Sequence, residues 1–166
     1  MTWNNLTEDG KIKSTYLDID QEMVDGLIAE IESQGRNKYH PTNIKGTMTS
    51  YRTTSPHFIK IRPLLKECLG FDCQILDLWG HVLTGLEYIQ PHVHSGMYDI
   101  ENYGSFCYYL DVPEGSGPLY FADYDLEVTP QNKMLVYFDV DVVHEVSPND
   151  ELNIRRYTIA GNLKKM

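Results

Sequence analysis

The stretch KMLVYFDVDVVHEV, residues 133–146, decides the fold because it holds two apolar runs of strand type in succession. Val, Tyr and Phe dominate the first run, and the second run leads into His144. β-Branched and aromatic residues in short runs are typical of strands that pack against a sheet. The stretch therefore predicts two strands, the second of them carrying a histidine.

Short runs of the same type fill the chain from about residue 73 onward. Turn residues bound them at 113–117, 130–132 and 148–150. Many short strands at this spacing indicate a sandwich or a barrel. The runs are CQILDLWG (73–80), TGLEYIQPHVH (84–94), GSFCYYLDV (104–112), GPLYFAD (117–123), KMLVYFDV (133–140), DVVHEV (141–146) and NIRRYTIAGN (153–162).

The first third of the chain has a helical period instead. Apolar residues recur at helical spacing between 23 and 31, Asp20 suits the N-cap, and Gly35 suits the C-terminal cap. A second helix is predicted within 55–70, where Pro63 either begins or breaks it. Helices first and strands afterwards predict an α+β fold that is mainly β, with the helices on one face.

At 166 residues the chain is predicted to form a single domain, 1–166. Its helical support would span 1–72 and its β core 73–163. The polar segment 36–54, which lies between the two predicted helices, and the loop 95–104 are predicted to form a lid, because long loops of this kind are often functional.

Charge and composition exclude some partners. A net charge of −10, with 14 Lys+Arg against 24 Asp+Glu, does not suit binding to nucleic acid or to an anionic membrane. No apolar run approaches the roughly 18 residues of a membrane helix. The start of the chain has no export signal, and three cysteines are an odd number without metal-type spacing, so we expect a cytoplasmic protein.

Two histidines in EYIQPHVHSGMYDI (87–100) indicate a metal. His92 and His94 are two positions apart at the end of a predicted strand, so their side chains share a face. His144 ends another strand-type run about fifty residues later, and a jelly-roll-like path would bring it beside His92. His81, after Trp79-Gly80, is interpreted at most as a group that supports this site.

The run NIRRYTIAGN indicates an anion receptor. With a period of two, Arg155 and Arg156 lie on opposite faces, so one of them points into the sheet interior. A buried arginine needs a carboxylate, since an unpaired buried charge costs roughly 3–5 kcal/mol. Arg156 with Thr158 presents a planar fork and a hydroxyl. The carboxylate belongs either to a ligand or to an internal partner such as Asp111 or Glu145.

Three stretches taken together resemble the 2-oxoglutarate- and Fe(II)-dependent oxygenases, most of all prolyl hydroxylases and short oxygenases of bacteria and phages. They are FCYYLDVPEGSGPLYF (106–121), KMLVYFDVDVVHEVSP (133–148) and RRYTIAGN (155–162), and the resemblance covers about residues 74–163. It implies a double-stranded β-helix, the cupin-like jelly roll.

The resemblance also implies roles for single residues. His92 and His144 would be iron ligands, Arg156 would hold the far carboxylate of 2-oxoglutarate, and Tyr109 and Thr158 would add hydroxyls to it. The implied cofactors are Fe(II), the cosubstrate 2-oxoglutarate and dioxygen. The implied reaction is hydroxylation of an unactivated C–H bond.

The sequence departs from this family at His94, because the usual motif is His-x-Asp. Three interpretations remain at this point. His94 ligates in place of the carboxylate, or Asp99 supplies the ligand from the following loop and His94 lies outside the ligand set, or the iron site is weakened and activity is lost.

The sequence leaves the substrate and two alternative functions open. The prolyl-hydroxylase likeness suggests a proline in a peptide or protein, beneath a lid containing Tyr51, Tyr98 and Tyr103. One rival is a cupin-type metalloenzyme that does not use 2-oxoglutarate, with Glu101 among its ligands. Another is a catalytically inactive binding module of the same fold.

Overall fold

The structure is a computed structural model that describes residues 2–34, 43–94 and 100–166. Within these residues it has two α-helices, α1 (Gln21–Gln34) and α2 (Pro56–Leu69), and two short 3₁₀ helices, Ile100–Asn102 and Ala122–Tyr124. The strands are β1 Asn4–Asn5, β2 Ile12–Tyr16, β3 Ile44–Lys45, β4 Thr47–Met48, β5 Cys73–Thr84, β6 Tyr88–His92, β7 Tyr103–Asp111, β8 Leu119–Phe121, β9 Leu126–Val128, β10 Met134–Asp139, β11 His144–Val146 and β12 Arg155–Lys165.

The strands form two sheets, in the orders β1-β2-β10-β7-β12-β5-β4 and β3-β6-β11-β8-β9. All the pairings between named strands are antiparallel. One apolar cluster packs α1 and α2 against the larger sheet, and a second cluster fills the space between the two sheets. The predicted mainly β fold with helices on one face is confirmed. Neither described helix is long and apolar enough to cross a membrane.

Both helices lie where the sequence predicts them. The Asp20 side chain accepts a hydrogen bond of 2.8 Å from the Met23 amide, which confirms the N-cap of α1, while the predicted cap Gly35 lies outside the described residues. α2 ends at Gly70 in the left-handed conformation. Pro63 neither begins nor breaks this helix. Because Pro63 is exposed, the backbone hydrogen bond that it removes lies on the solvent side.

The predicted helical support over 1–72 is incomplete, because this part of the chain also contains four strands. β2 pairs along its whole length with β10 and extends the larger sheet. Of its five residues only Ile12 is a buried apolar residue. A run with so little apolar pattern gains its strand conformation from the neighbouring strand rather than from its own sequence.

Three neighbouring strands, β5, β12 and β7, position the interior side chains. On β12 the alternate residues Arg156, Thr158, Ala160 and Asn162 share one face, and they pair with Leu83, His81, Trp79 and Asp77 on β5. On the other side of β12, β7 places Tyr109 opposite Thr158, Cys107 opposite Ala160 and Ser105 opposite Asn162. The interior is therefore built in layers across three neighbouring strands.

Gly80 allows the helices to approach the outer face of this sheet. A Cβ atom at Gly80 would lie 2.5 Å from Ile31 Cγ1 and 2.8 Å from Phe58 Cζ. The residue is thus a contact point between β5 and both helices. Space for a methyl group is lacking there.

We predict that Gly80→Ala lowers the free energy of unfolding by about 1–3 kcal/mol, because an added methyl group overpacks this contact. Urea denaturation measures the loss. The same substitution made in an Ile31→Ala background should cost less, since the closest colliding atoms have been removed. An equal cost in both backgrounds would contradict the steric explanation.

Candidate metal centre

Three histidines converge at one end of the interior. His92 ends β6 and His144 begins β11, and the two are directly opposite in the antiparallel pairing. His94 follows β6, where its amide donates to the Val140 carbonyl at 2.9 Å. One ring nitrogen from each histidine lies within 4.8 Å of the others. The side chains predicted from the sequence to ligate a metal are brought together.

Backbone carbonyls fix the ring tautomers of two of them. His92 Nδ1 lies 2.7 Å from the Gln90 carbonyl oxygen, and His144 Nδ1 lies 3.0 Å from that of Val142. A carbonyl oxygen only accepts, so both Nδ1 atoms carry the proton. Both Nε2 atoms therefore present lone pairs to the centre.

A buried amide fixes the third ring. Asn162 Nδ2 donates to the Asp77 carboxylate at 3.2 Å, so its Oδ1 faces His94 Nδ1 at 2.6 Å. Ser105 Oγ also donates to this Oδ1, at 2.8 Å. His94 Nδ1 is consequently a donor and its Nε2 is unprotonated. Asp77, the last member of this series of hydrogen bonds, forms an ion pair of 3.0 Å with Arg52 Nε.

The geometry fits a cation. His92 Nε2 and His94 Nε2 are 3.2 Å apart. Two neutral lone-pair atoms repel at this distance, whereas two nitrogens about 2.1 Å from one metal ion at a right angle are about 3 Å apart. Each Nδ1–H is held by an oxygen, as in the supported imidazoles of known metal sites. The residues present therefore fit a metal ion held by three imidazoles.

Burial keeps all three imidazoles neutral. It lowers the pKa of His92, lowers that of His94 to about 4, and places that of His144 well below its ordinary value. A proton on any of these rings would compete with a metal for the same lone pair. At neutral pH the three nitrogens are thus ready to coordinate.

Arg156 lies at the other end of the interior. It is 1% exposed, and its Nε and Nη1 donate to the Gly117 carbonyl and to Thr158 Oγ1, each at 2.9 Å. Its guanidinium carbon is 5.1 Å from the centroid of the Tyr109 ring. Among the described residues no carboxylate forms an ion pair with it, so neither Asp111 nor Glu145 is its partner.

A narrow cavity of about 50 Å³ joins the histidines to Arg156. This is more than the roughly 10–15 Å³ that a single water occupies. The small side chains of Cys107 and Ala160 line its middle. We call this space the inner cavity; its described lining residues include Trp79, His81, Tyr109, Arg156 and Thr158 as well as the three histidines.

His81 is a lining residue that was interpreted from the sequence at most as a group supporting the site. It is buried on β5, opposite Thr158, and neither of its ring nitrogens has a hydrogen-bond partner among the described residues. Burial, and secondarily the Arg156 charge, lower its pKa to about 3. The only signal in the sequence was its place on the same strand face as Trp79 and Asp77.

A wider outer groove of about 460 Å³ opens on the other side of the histidines. Tyr51 lies there, in edge-on contact with Trp79 at 4.9 Å between ring centroids. Of the other predicted lid and ligand residues, Tyr103 begins β7 and is not among the described residues that line either space. Tyr98 and Asp99 lie outside the described residues.

Solved structures share this architecture. A viral collagen prolyl hydroxylase from Paramecium Bursaria Chlorella virus-1, in its 2-oxoglutarate complex, matches with a TM-score of 0.71 and 14% identity over 94% of this chain and 97% of its own. A prolyl-4-hydroxylase from Pseudomonas putida matches with a TM-score of 0.66 and 16% identity over 94% of this chain and 93% of its own. A 2OG-Fe(II) oxygenase family protein from Burkholderia pseudomallei matches with a TM-score of 0.68 and 11% identity over 94% of this chain and 85% of its own.

The chain has the fold of the 2-oxoglutarate- and Fe(II)-dependent oxygenases. The resemblance found in the sequence and the predicted double-stranded β-helix are confirmed at the level of the fold. No family model and no curated protein matches the sequence. At 11–16% identity the structural likeness carries the fold alone, and the chemistry has to be argued from the residues.

We predict that His81→Phe reduces acid destabilisation of the metal-free protein. The lowered pKa means that the unfolded state binds a proton at His81 as pH falls below about 6.5 while the folded state does not. This contribution to stability is complete above that pH and is lost toward pH 3. Between pH 7 and pH 5 the loss of stability caused by His81 amounts to about 2 kcal/mol.

Urea denaturation at the two pH values, with a chelator present, measures the difference between wild type and variant. At pH 7 the variant should be at least as stable as wild type, because two buried nitrogens without partners are removed. An unchanged pH dependence would contradict a neutral, buried His81.

Proposed function

We propose that this protein is an Fe(II)- and 2-oxoglutarate-dependent dioxygenase that hydroxylates an unactivated C–H bond. The observation that carries the proposal is Arg156, a buried guanidinium that has no ion-pair partner among the described residues and lies at the inner end of a cavity. The other end of that cavity is formed by three unprotonated imidazole nitrogens. A dicarboxylate that chelates a metal at one end would bind the metal held by the imidazoles and would pair its other carboxylate with Arg156.

The Arg156 side chain is held in place without a carboxylate. Its acceptor, the Gly117 carbonyl, belongs to a turn fixed by the Asn149 side chain, which accepts from the Gly117 amide at 2.9 Å. A Cβ atom at residue 117 would lie 1.8 Å from the Ser147 carbonyl oxygen, so only glycine fits there. These contacts orient the guanidinium but leave its charge uncompensated. An incoming carboxylate would supply the missing charge, which is worth several kcal/mol in a buried site.

The proposal assigns roles to the chain's own residues. His92, His94 and His144 hold the metal, and Arg156, Thr158 and Tyr109 hold the distal carboxylate of the cosubstrate. Fe(II) with 2-oxoglutarate and dioxygen supplies oxidative decarboxylation to succinate and carbon dioxide, coupled to hydroxylation of substrate. The apolar side chains around the histidines, including Phe138 and Val146, exclude water from the centre.

Of the three interpretations of His94, we favour direct ligation. The ring is turned toward the centre by Asn162 and Ser105, and its Nε2 is 3.2 Å from that of His92. An imidazole outside the ligand set would not need a tautomer fixed in this way. Three neutral ligands leave the charge of the metal ion undiminished, unlike the usual carboxylate.

For substrate, we propose a peptide or protein, with a prolyl residue as the target. The two prolyl hydroxylases of the same fold suggest it, and the outer groove supports it by its volume of about 460 Å³ and by the exposed Tyr51 ring that lines it. Tyr51 and Trp79 present perpendicular rings beside the histidines, an arrangement suited to an apolar ring such as proline. The expected cytoplasmic location stays a prediction, consistent with three buried free cysteines.

The cupin-type rival is less well supported. It does not need an inward-facing Arg156 and Tyr109, both of which are buried at the inner cavity. Its extra ligand, Glu101, is exposed and does not belong to the histidine group among the described residues. Succinate formation from 2-oxoglutarate with Fe(II) and air distinguishes the dioxygenase from this rival and from an inactive module.

We predict that Arg156→Met weakens binding of 2-oxoglutarate by roughly 2–4 kcal/mol while metal affinity stays nearly unchanged. Isothermal titration without oxygen measures both. Arg155→Met is the matched control, because the neighbouring arginine is exposed and pairs with Glu32 at 2.5 Å on the other face of β12. Equal losses of metal and of 2-oxoglutarate, or equal effects of the two variants, would count against the assignment.

We predict that His94→Ala strongly weakens metal binding, whereas His94→Asp retains it because a carboxylate is the other ligand type used for such iron. A competition titration with a chromophoric chelator measures the affinities. His57→Ala is the control, since this histidine lies on α2 and pairs with Glu30 away from the site. Insensitivity of metal affinity to both changes at His94 would move it out of the ligand set.

A further inference from the structure

The inner cavity gathers buried polar atoms that the protein itself does not satisfy. Among the described residues, four buried side-chain atoms lack a hydrogen-bond partner: Trp79 Nε1, both ring nitrogens of His81, and the Tyr109 hydroxyl. All three side chains line this one cavity. Buried polar groups are nearly always hydrogen-bonded in folded proteins, so a cluster of exceptions in one place indicates a ligand.

His81 occupies a defined level of that cavity. It pairs across the sheet with Thr158, which in turn lies opposite Tyr109 on β7. Thr158 accepts a hydrogen bond from Arg156 Nη1. Thus His81, Thr158 and Tyr109 form one layer, with the Arg156 guanidinium against it. Asn162, which supports His94, lies four residues, or roughly 13 Å, farther along β12.

We propose that His81 is a cosubstrate-positioning residue whose ring N–H donates a hydrogen bond to the distal carboxylate of 2-oxoglutarate, beside Arg156 and Tyr109. This inference rests on the proposed function and adds a residue to it. It explains why an imidazole without a partner is buried at the inner end of the cavity, away from the metal-binding histidines.

The chemistry of the layer favours a carboxylate. Arg156 and Tyr109 offer N–H and O–H donors, and a neutral imidazole always carries one N–H. A ligand end that only accepts hydrogen bonds matches such a set. Because Arg156 is already charged, a neutral donor at His81 adds a hydrogen bond without adding a second buried cation beside the first.

The test separates the distal carboxylate from the rest of the ligand. The affinities of Mn(II)-loaded wild type and His81→Phe are measured by titration, without oxygen, for 2-oxoglutarate and for 2-oxopentanoate. The second acid has a methyl group where the first has its distal carboxylate. We expect His81→Phe to weaken 2-oxoglutarate binding roughly ten- to thirtyfold, the effect of one buried hydrogen bond to a charged group.

Binding of 2-oxopentanoate and of Mn(II) should change less than twofold. His81→Asn or His81→Gln, which keep an N–H donor, should restore part of the affinity. A purely structural role would instead lower stability in urea and weaken both acids together. Should His81→Phe fail to fold, His81→Leu serves in the same comparison.

Each outcome decides between the proposals. If wild type binds 2-oxoglutarate and His81→Phe binds it equally well, His81 does not contact the cosubstrate, and the proposed function stands. Equal losses for the two acids also overturn the contact with the distal carboxylate. If wild type does not bind 2-oxoglutarate in the presence of metal, the proposed function itself fails and the role of His81 fails with it.

Discussion

The two-residue period of β12 is the constraint on which the interior depends. One face of this strand carries Arg156, Thr158, Ala160 and Asn162 in order, and each has a different task. The first two provide a charge and a hydroxyl, Ala160 leaves space, and Asn162 fixes the tautomer of His94. A shift of one residue in register would turn the whole set away from the cavity and toward the helices, where the other face of the strand packs.

This arrangement is held at a cost in stability. A guanidinium without a carboxylate, two imidazole nitrogens without partners and three converging lone pairs are each unfavourable in a buried space. The cost is offset by the large apolar clusters on both faces of the seven-stranded sheet. Among the described residues, the buried side-chain polar atoms without hydrogen-bond partners all lie in this one cavity, which is typical of a binding site.

The sequence predicted those features that depend on local pattern. The alternation in NIRRYTIAGN separated Arg155 from Arg156, and the spacing of His92 and His94 placed them on one face. It did not predict β2, since its strand conformation depends on pairing with β10. The pairing of His144 with His92 joins residues far apart in sequence, so strand periodicity alone did not fix it, and it was predicted on the assumption of a jelly-roll-like path.

Sequence reasoning assigned Asn162 no role and His81 at most a supporting one, for a different reason. From Leu78 to Leu83 both faces of β5 are buried, so polar residues there cannot be assigned to a face by hydrophobic alternation. Asn162 lies near the end of the chain, and its role depends on Asp77, which is 85 residues away in the sequence. Their importance appears only when hydrogen-bond partners are traced through the folded interior.

The balance of charge explains how a histidine can stand where relatives of this fold are expected to keep an aspartate. On the proposed function, a divalent metal and Arg156 together bring three positive charges to a cavity that receives a dianion. A carboxylate ligand would cancel the remaining charge directly. Here Asp77 is buried close by, linked to His94 through the Asn162 amide, and shares its charge with the largely exposed Arg52. On the proposed function, the negative charge lies one side chain farther out rather than being lost, which would keep the imidazole oriented while leaving the metal itself more strongly attractive to the cosubstrate.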